Sequence, residues 1–252
     1  MIDLSVAERF VLLLVRPGML VAVVPGLSGT HIPAVVKVGI IALVALGLLP
    51  SVRVPTALPE VALAMTVARE MAIGLALAFA FRALIAGAEF AGHLSGIQIG
   101  FSYGATIDPQ SGVRNNMLAT FYGLLATLGF LAVNGHHAVL RALAQSYTAL
   151  PIGTGSVSPS LAAGVREVLA LVFVVGLRLA APIVVALLVV ELGVGLISRA
   201  SPAMSFMVIG FPLRLLAGLA VLAALVPVVP AVTNSLVRSV LTTGARMAEA
   251  FR

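Results

Sequence analysis

Long apolar runs, each interrupted by a proline, a glycine or a lone charge, dominate the chain. They lie at about Phe10–Ser28, Val38–Val52, Val61–Phe81, Ala83–Phe101, Met117–Val133, Val168–Ile197 and Leu215–Val232. A helix that crosses about 30 Å of hydrocarbon needs roughly 20 apolar residues, so the pattern predicts about 6–7 apolar helical segments. Few of them are clean spans. Phe10–Ser28 carries Arg16, Pro17 and Pro25, Val61–Phe81 carries Arg69 and Glu70, and Val168–Ile197 carries Arg178 and Pro182. A charge facing lipid at mid-span costs about 2.5–3.5 kcal/mol on insertion scales. A proline frees a backbone carbonyl that a neighbour must satisfy. These segments are therefore expected to be kinked and to face other protein, or water inside an assembly.

The polar residues also divide the chain. Residues 134–160 open with a short amphipathic segment and end in a Pro/Gly/Ser loop. Two long apolar segments follow, about Leu161–Ser198 and Ala203–Ala250. At 1.5 Å per residue the first would reach about 57 Å, more than a bilayer, so kinks are expected at Pro182, Pro212, Pro227 and Pro230. Residues 1–160 and 161–252 thus read as two parts of one membrane domain. Asp3 and Glu8 stand where a signal peptide would be basic, and no small-x-small site closes the first run, which is expected to stay in the mature chain.

Composition sharpens the class. Of 252 residues, 61% are apolar and 10% charged, with a mean hydropathy of +1.17. Soluble domains run at about 45–50% and about 25%, and a chain of this size always keeps a large outer surface. An all-α integral membrane protein follows. With no cysteine, disulfide frameworks and Cys-based zinc sites are excluded. The net charge of +6 comes from basic residues scattered singly, so no nucleic-acid face is expected. The positive-inside rule gives no consistent topology, because the basic C-terminal tail and the poorly charged 134–167 connection would share a side.

The sharpest local pattern is Gly92, Gly96, Gly100 and Gly104, a smooth helical stripe along which another helix can approach. Its flank carries Glu89, His93, Ser95, Gln98, Ser102 and Tyr103. A tight seam, within the chain or with a partner, is the plainer reading; a polar lining for a water-filled passage is the sharper one. The stretch Thr106–Asn116 follows, with Asp108-Pro109 and Gly112 as a turn signature. By composition it is an ordinary solvent loop, with a re-entrant loop or plug as the alternative. Arg82 and Glu89 share a helical face, and Arg178 and Glu191 stand in the long C-terminal run, so these four are the intramembrane charges to explain. Adjacent Arg69 and Glu70 point about 100° apart and cannot pair with each other. No metal site, P-loop, GxSxG elbow or dinucleotide fingerprint is present, so neither a cofactor nor a catalytic set is expected.

Four stretches together resemble one family. Arg16–Pro50 is similar to its opening pair of segments, and Gly87–Pro109 (GAEFAGHLSGIQIGFSYGATIDP) to its AGE..G.Q.G signature ending in DP. Asn134-Gly-His136 with Leu150-Pro-Ile-Gly153, and Val208-Ile-Gly-Phe-Pro-Leu213, are similar to its NGH…LPIG and VIGFPL motifs. On these residues the chain resembles the FliR/SctT family of type III secretion export-gate subunits, in forms closer to the flagellar branch than to the injectisome branch. The resemblance implies a FliP-like N-terminal part and a FliQ-like C-terminal helical hairpin. It implies FliP-like and FliQ-like partners around a pore, FlhA-like and FlhB-like components nearby, and unfolded proteins as cargo. The implied location is the bacterial inner membrane, at the flagellar basal body. It also turns the loop after the glycine stripe into the pore plug, with Phe101, Tyr103, Thr106, Ile107, Asp108, Pro109 and Arg114. The alternatives are a small-solute transporter using Glu89 and Arg178, and an intramembrane enzyme.

Overall fold

The computed structural model describes residues 4–24, 26–29, 32–55, 58–101, 117–154, 160–200 and 206–249. Among these residues the chain is helical, with no strand. The described residues form eight α-helices: α1 (Leu4–Val23), α2 (Ala34–Leu48), α3 (Glu60–Ile99), α4 (Met117–Ala132), α5 (Gly135–Ala149), α6 (Ser160–Ala200), α7 (Phe206–Leu225) and α8 (Val229–Glu249), with a 3₁₀ turn at Val226–Val228. Among the described residues three stretches are long and apolar enough to cross a membrane: Glu60–Ile99, Ala162–Ala200 and Gly210–Val228. The count is four if α4 and α5 make one broken span. This is an all-α integral membrane protein.

One expectation is corrected, and the expected break at Pro227 is found. The runs Val61–Phe81 and Ala83–Phe101 are not separate spans but one 40-residue helix, α3. Only Arg82 divides them in hydropathy, and arginine is a good helix former, so the polar dip carries no backbone break. The C-terminal segment is divided, because Pro227 sits in the 3₁₀ turn between α7 and α8. Pro182 and Pro212, by contrast, lie inside continuous helices. At about 60 Å each, α3 and α6 both exceed the hydrocarbon thickness.

The contacts gather into two compact units. The first comprises residues 1–83, 130–170 and 235–252. Its interior holds Leu12, Leu13, Ile73, Phe81, Phe130 and Leu143, with Phe81 and Phe130 edge to face at 6.3 Å. The second comprises residues 84–129 and 171–234. Its interior is built from the latter part of α3 (Ala88, Ala91, Ile99) and from Val175, Ile183 and Leu187 of α6.

Candidate functional site

The first unit is organised around a charge. Arg16, in the middle of α1, has 0% of its side chain exposed, and so has Glu70 of α3. Arg16 Nε donates to Glu70 Oε2, and Nη2 donates to Oε1 at 3.1 Å, a bidentate fork that suits the planar guanidinium. Two further donors are engaged: Nη1 reaches Ser146 Oγ at 3.1 Å, and Nη2 reaches the Leu150 carbonyl at 2.8 Å. The Tyr147 ring lies 4.4 Å from the guanidinium carbon, a cation–π contact. Glu70 Oε1 accepts a further bond from the Gly153 amide at 3.4 Å. One buried pair thus ties α1, α3, α5 and the turn after α5 together. Such a pair stabilises only when every donor and acceptor is met, and removing one member leaves a buried charge uncompensated.

Local sequence explains how this hub is built. Pro17 has no N–H, so the carbonyl of Leu13 loses its partner within α1. The Tyr147 hydroxyl supplies it, donating to Leu13 O at 3.3 Å. The neighbour that a proline in an apolar helix requires is therefore in the same chain. Between α4 and α5, Asn134 takes a left-handed conformation at φ 57°. A Cβ on Gly135 would strike the Phe130 ring, so no larger residue fits there. Gly153 also has positive φ, 84°, although a Cβ there would meet nothing closer than 3.7 Å. Its need for glycine is conformational, and it delivers its amide to Glu70. The Asn134-Gly-His136 and Leu150–Gly153 motifs are the two ends of the helix that carries Ser146 and Tyr147.

In the second unit, small residues bring backbones together. A Cβ on Gly92 would stand 2.5 Å from Ala119 Cα and from the Leu118 carbonyl, so α3 and α4 nearly touch there. Gly87 faces Val172 and Val175 of α6, and Gly176 of α6 faces Gly87 and Phe90 in return. Phe90 and Phe173 close this crossing edge to face at 5.3 Å. Gly218 of α7 leaves room for Ile99, which a Cβ there would approach to 2.5 Å.

Of the residues singled out from sequence, Gly92 and Gly96 are buried. Gly100 is buried too and ends α3 with φ 102°. Gly104, Tyr103, Thr106, Ile107, Asp108, Pro109 and Arg114 lie outside the described residues, while Phe101 is described and exposed. Arg82 is half-buried, and Glu89 is half-buried against Gly123. Glu191 pairs with Arg214 of α7 at 3.0 Å, whereas Arg178 is exposed on α6. The fully buried pair, Arg16 with Glu70, is not among the four intramembrane charges that the sequence pointed to. A signal existed: each is the polar interruption of its own apolar run, and their signs are opposite. Arg69 points elsewhere and donates to the Gly153 carbonyl at 3.3 Å. Among the described residues no group of three His, Asp or Glu side chains could hold a metal.

The class defined by helices, buried ion pair and glycine crossings is a polytopic membrane protein that keeps charge inside itself. Residues 7–240 match the family model of bacterial export proteins, family 1, and the chain belongs to that family. It is similar to the flagellar biosynthetic protein FliR of Escherichia coli K12, 35% identical over 161 residues, 64% of this chain and 62% of the relative. The corresponding protein of Pectobacterium carotovorum is 33% identical over 162 residues, with the same shares. That of Bacillus subtilis 168 is 28% identical over 150 residues, 58% of each chain. The matched part spans about 60% of the length of these curated relatives.

Proposed function

We propose that this chain is a subunit of the flagellar type III protein-export gate. In this reading it assembles with FliP-like and FliQ-like membrane subunits around a pore that passes unfolded flagellar proteins across the bacterial inner membrane. The observation that carries the proposal is the outer face of α6. Arg178 is exposed there among exposed Phe173, Val174, Leu177 and Val185, in the middle of an apolar helix. Hydrocarbon tolerates the aliphatic residues but not the guanidinium, whereas a protein neighbour accommodates both. The names of the matching relatives supply the pathway.

Residues 1–160 then form the FliP-like part and residues 161–252 the FliQ-like hairpin. Phe101, Tyr103, Thr106–Pro109 and Arg114 close the resting pore, and the Gly92–Gly104 stripe seats a neighbouring helix. FlhA-like and FlhB-like components stand beside the gate at the basal body, and no catalysis falls to this chain. Purification of the tagged full chain from its host membrane tests the reading. FliP-like and FliQ-like proteins should co-purify, and Arg178→Glu should reduce their yield; recovery of the chain alone would sink the proposal. Deleting Ile107–Arg114 should make the assembled membrane leak ions, and an ion-tight membrane would remove the plug assignment. Gly96→Leu should stop the partners co-purifying while the melting temperature of the isolated chain is kept; a lowered melting temperature would assign the stripe to packing within the chain, as at Gly92 against α4.

A further inference from the structure

Within the first unit, a cavity of about 400 Å³ is lined by Arg9 of α1 and by Leu49, Pro50, Val52, Arg53 and Val54, which follow α2. Among the described residues no acidic side chain lines it, and neither arginine makes a hydrogen bond or ion pair. The carboxyl end of α2 attracts one cation through its helix dipole, which accounts for Arg53 alone. It does not account for a second guanidinium brought to the same cavity from another helix. Two exposed like charges at one cavity repel weakly through water, and an anion that both can reach replaces that repulsion with two attractions. Guanidinium groups fit phosphate oxygens in particular, through paired N–H donors.

The surroundings indicate what carries the phosphate. In sequence Arg53 stands seven residues ahead of Glu60, where α3 begins, a helix long and apolar enough to span a membrane. On its first turns Val61 is 78% exposed and Met65 54% exposed. A phosphate held a few residues ahead of a span whose first turns are aliphatic and exposed suits a phospholipid better than a free anion. We infer that Arg9 and Arg53 form a binding site for the phosphate of an anionic phospholipid, whose acyl chains run along the Val61–Met65 face of α3. The site lies within one unit of the chain and does not depend on the export-gate partners.

Thermal melting of the full chain in neutral detergent tests this, with phosphatidylglycerol, phosphatidylcholine and inorganic phosphate as separate titrants. Phosphatidylglycerol should raise the melting temperature at concentrations well below those at which phosphatidylcholine acts. Arg9→Gln or Arg53→Gln should weaken the half-saturating concentration about fivefold, and the two together about thirtyfold. Both side chains are exposed, so the variants should fold; each shift is read against the variant's own lipid-free melting point. The Arg9→Lys/Arg53→Lys pair, which keeps the charge but loses the paired N–H donors, should retain only part of the response. If inorganic phosphate produced the whole arginine-dependent shift, the site would take a soluble phosphate and the lipid assignment would fall. Equal responses to the two lipids, or an undiminished response in the double glutamine variant, would overturn the site itself.

Discussion

The two longest helices have nearly the same length and opposite lives. In α3, 67% of the most apolar stretch is buried by the rest of the chain; in α6 the share is 28%, and in α7 it falls to 11%. Yet α3 is the least apolar of the three and α6 the most. The helix that carries Glu70, Arg82 and Glu89 is thus the one its own chain encloses. The more apolar helices are left with open faces. In a lipid-borne protein this ordering has a simple cause: apolar surface needs no cover, but charge does. Buried polar groups therefore mark where the chain folds on itself, and bare apolar faces mark where lipid or other chains begin.

That contrast breaks most readily at the ion pair. Glu70→Ala should cost about 3–5 kcal/mol by stranding Arg16 in the interior. Thermal melting in detergent would show it, and Arg16→Met/Glu70→Leu should recover much of the loss. A double variant no better than the single would show that the pair itself, and not its compensation, holds the unit. The glycines of α6 sharpen the comparison along a single helix. Gly176→Leu, driven into Phe90 and the Gly87 carbonyl, should cost about 1–3 kcal/mol or more.

Gly153→Ala should cost about 1–2 kcal/mol, although space is available, because the residue must hold positive φ. Tyr147→Phe, which deprives Leu13 O of its donor, should cost about 1 kcal/mol. On the open side, a methyl group added at Gly193 or Gly195 would meet nothing within 4 Å. Alanine at either should stabilise α6 by about 0.5–1 kcal/mol. A loss there instead, in the chain purified alone, would show that this stretch is covered.

Much of the helix plan is legible in the linear pattern. The long segment at about Leu161–Ser198 is α6, and the amphipathic segment after Asn134 is α5. The need for a partner at a proline is also legible in principle, since a missing N–H frees a known carbonyl. What the pattern hides is the partner's identity. Tyr147 lies 134 residues from Leu13, and its hydroxyl is unremarkable in sequence. Hydropathy likewise divides α3 at Arg82, because it registers polarity and not backbone geometry. Gly87 and Gly176 give weaker signals than the four-glycine stripe, since each is a single small residue whose use depends on the helix opposite.

The amino-acid sequence alone determined that this chain belongs in a membrane, that it is helical, and where α4 and α6 begin and end. Those properties follow from local quantities: apolar content, run length, and the backbone limits of proline and glycine. Only the tertiary structure decided which charges are internal. Arg16 and Glu70 are 54 residues apart, and they meet because three helices and one positive-φ glycine converge on them. Pairing of that kind is set by packing in three dimensions, where a charge chooses the one partner that lets it leave water.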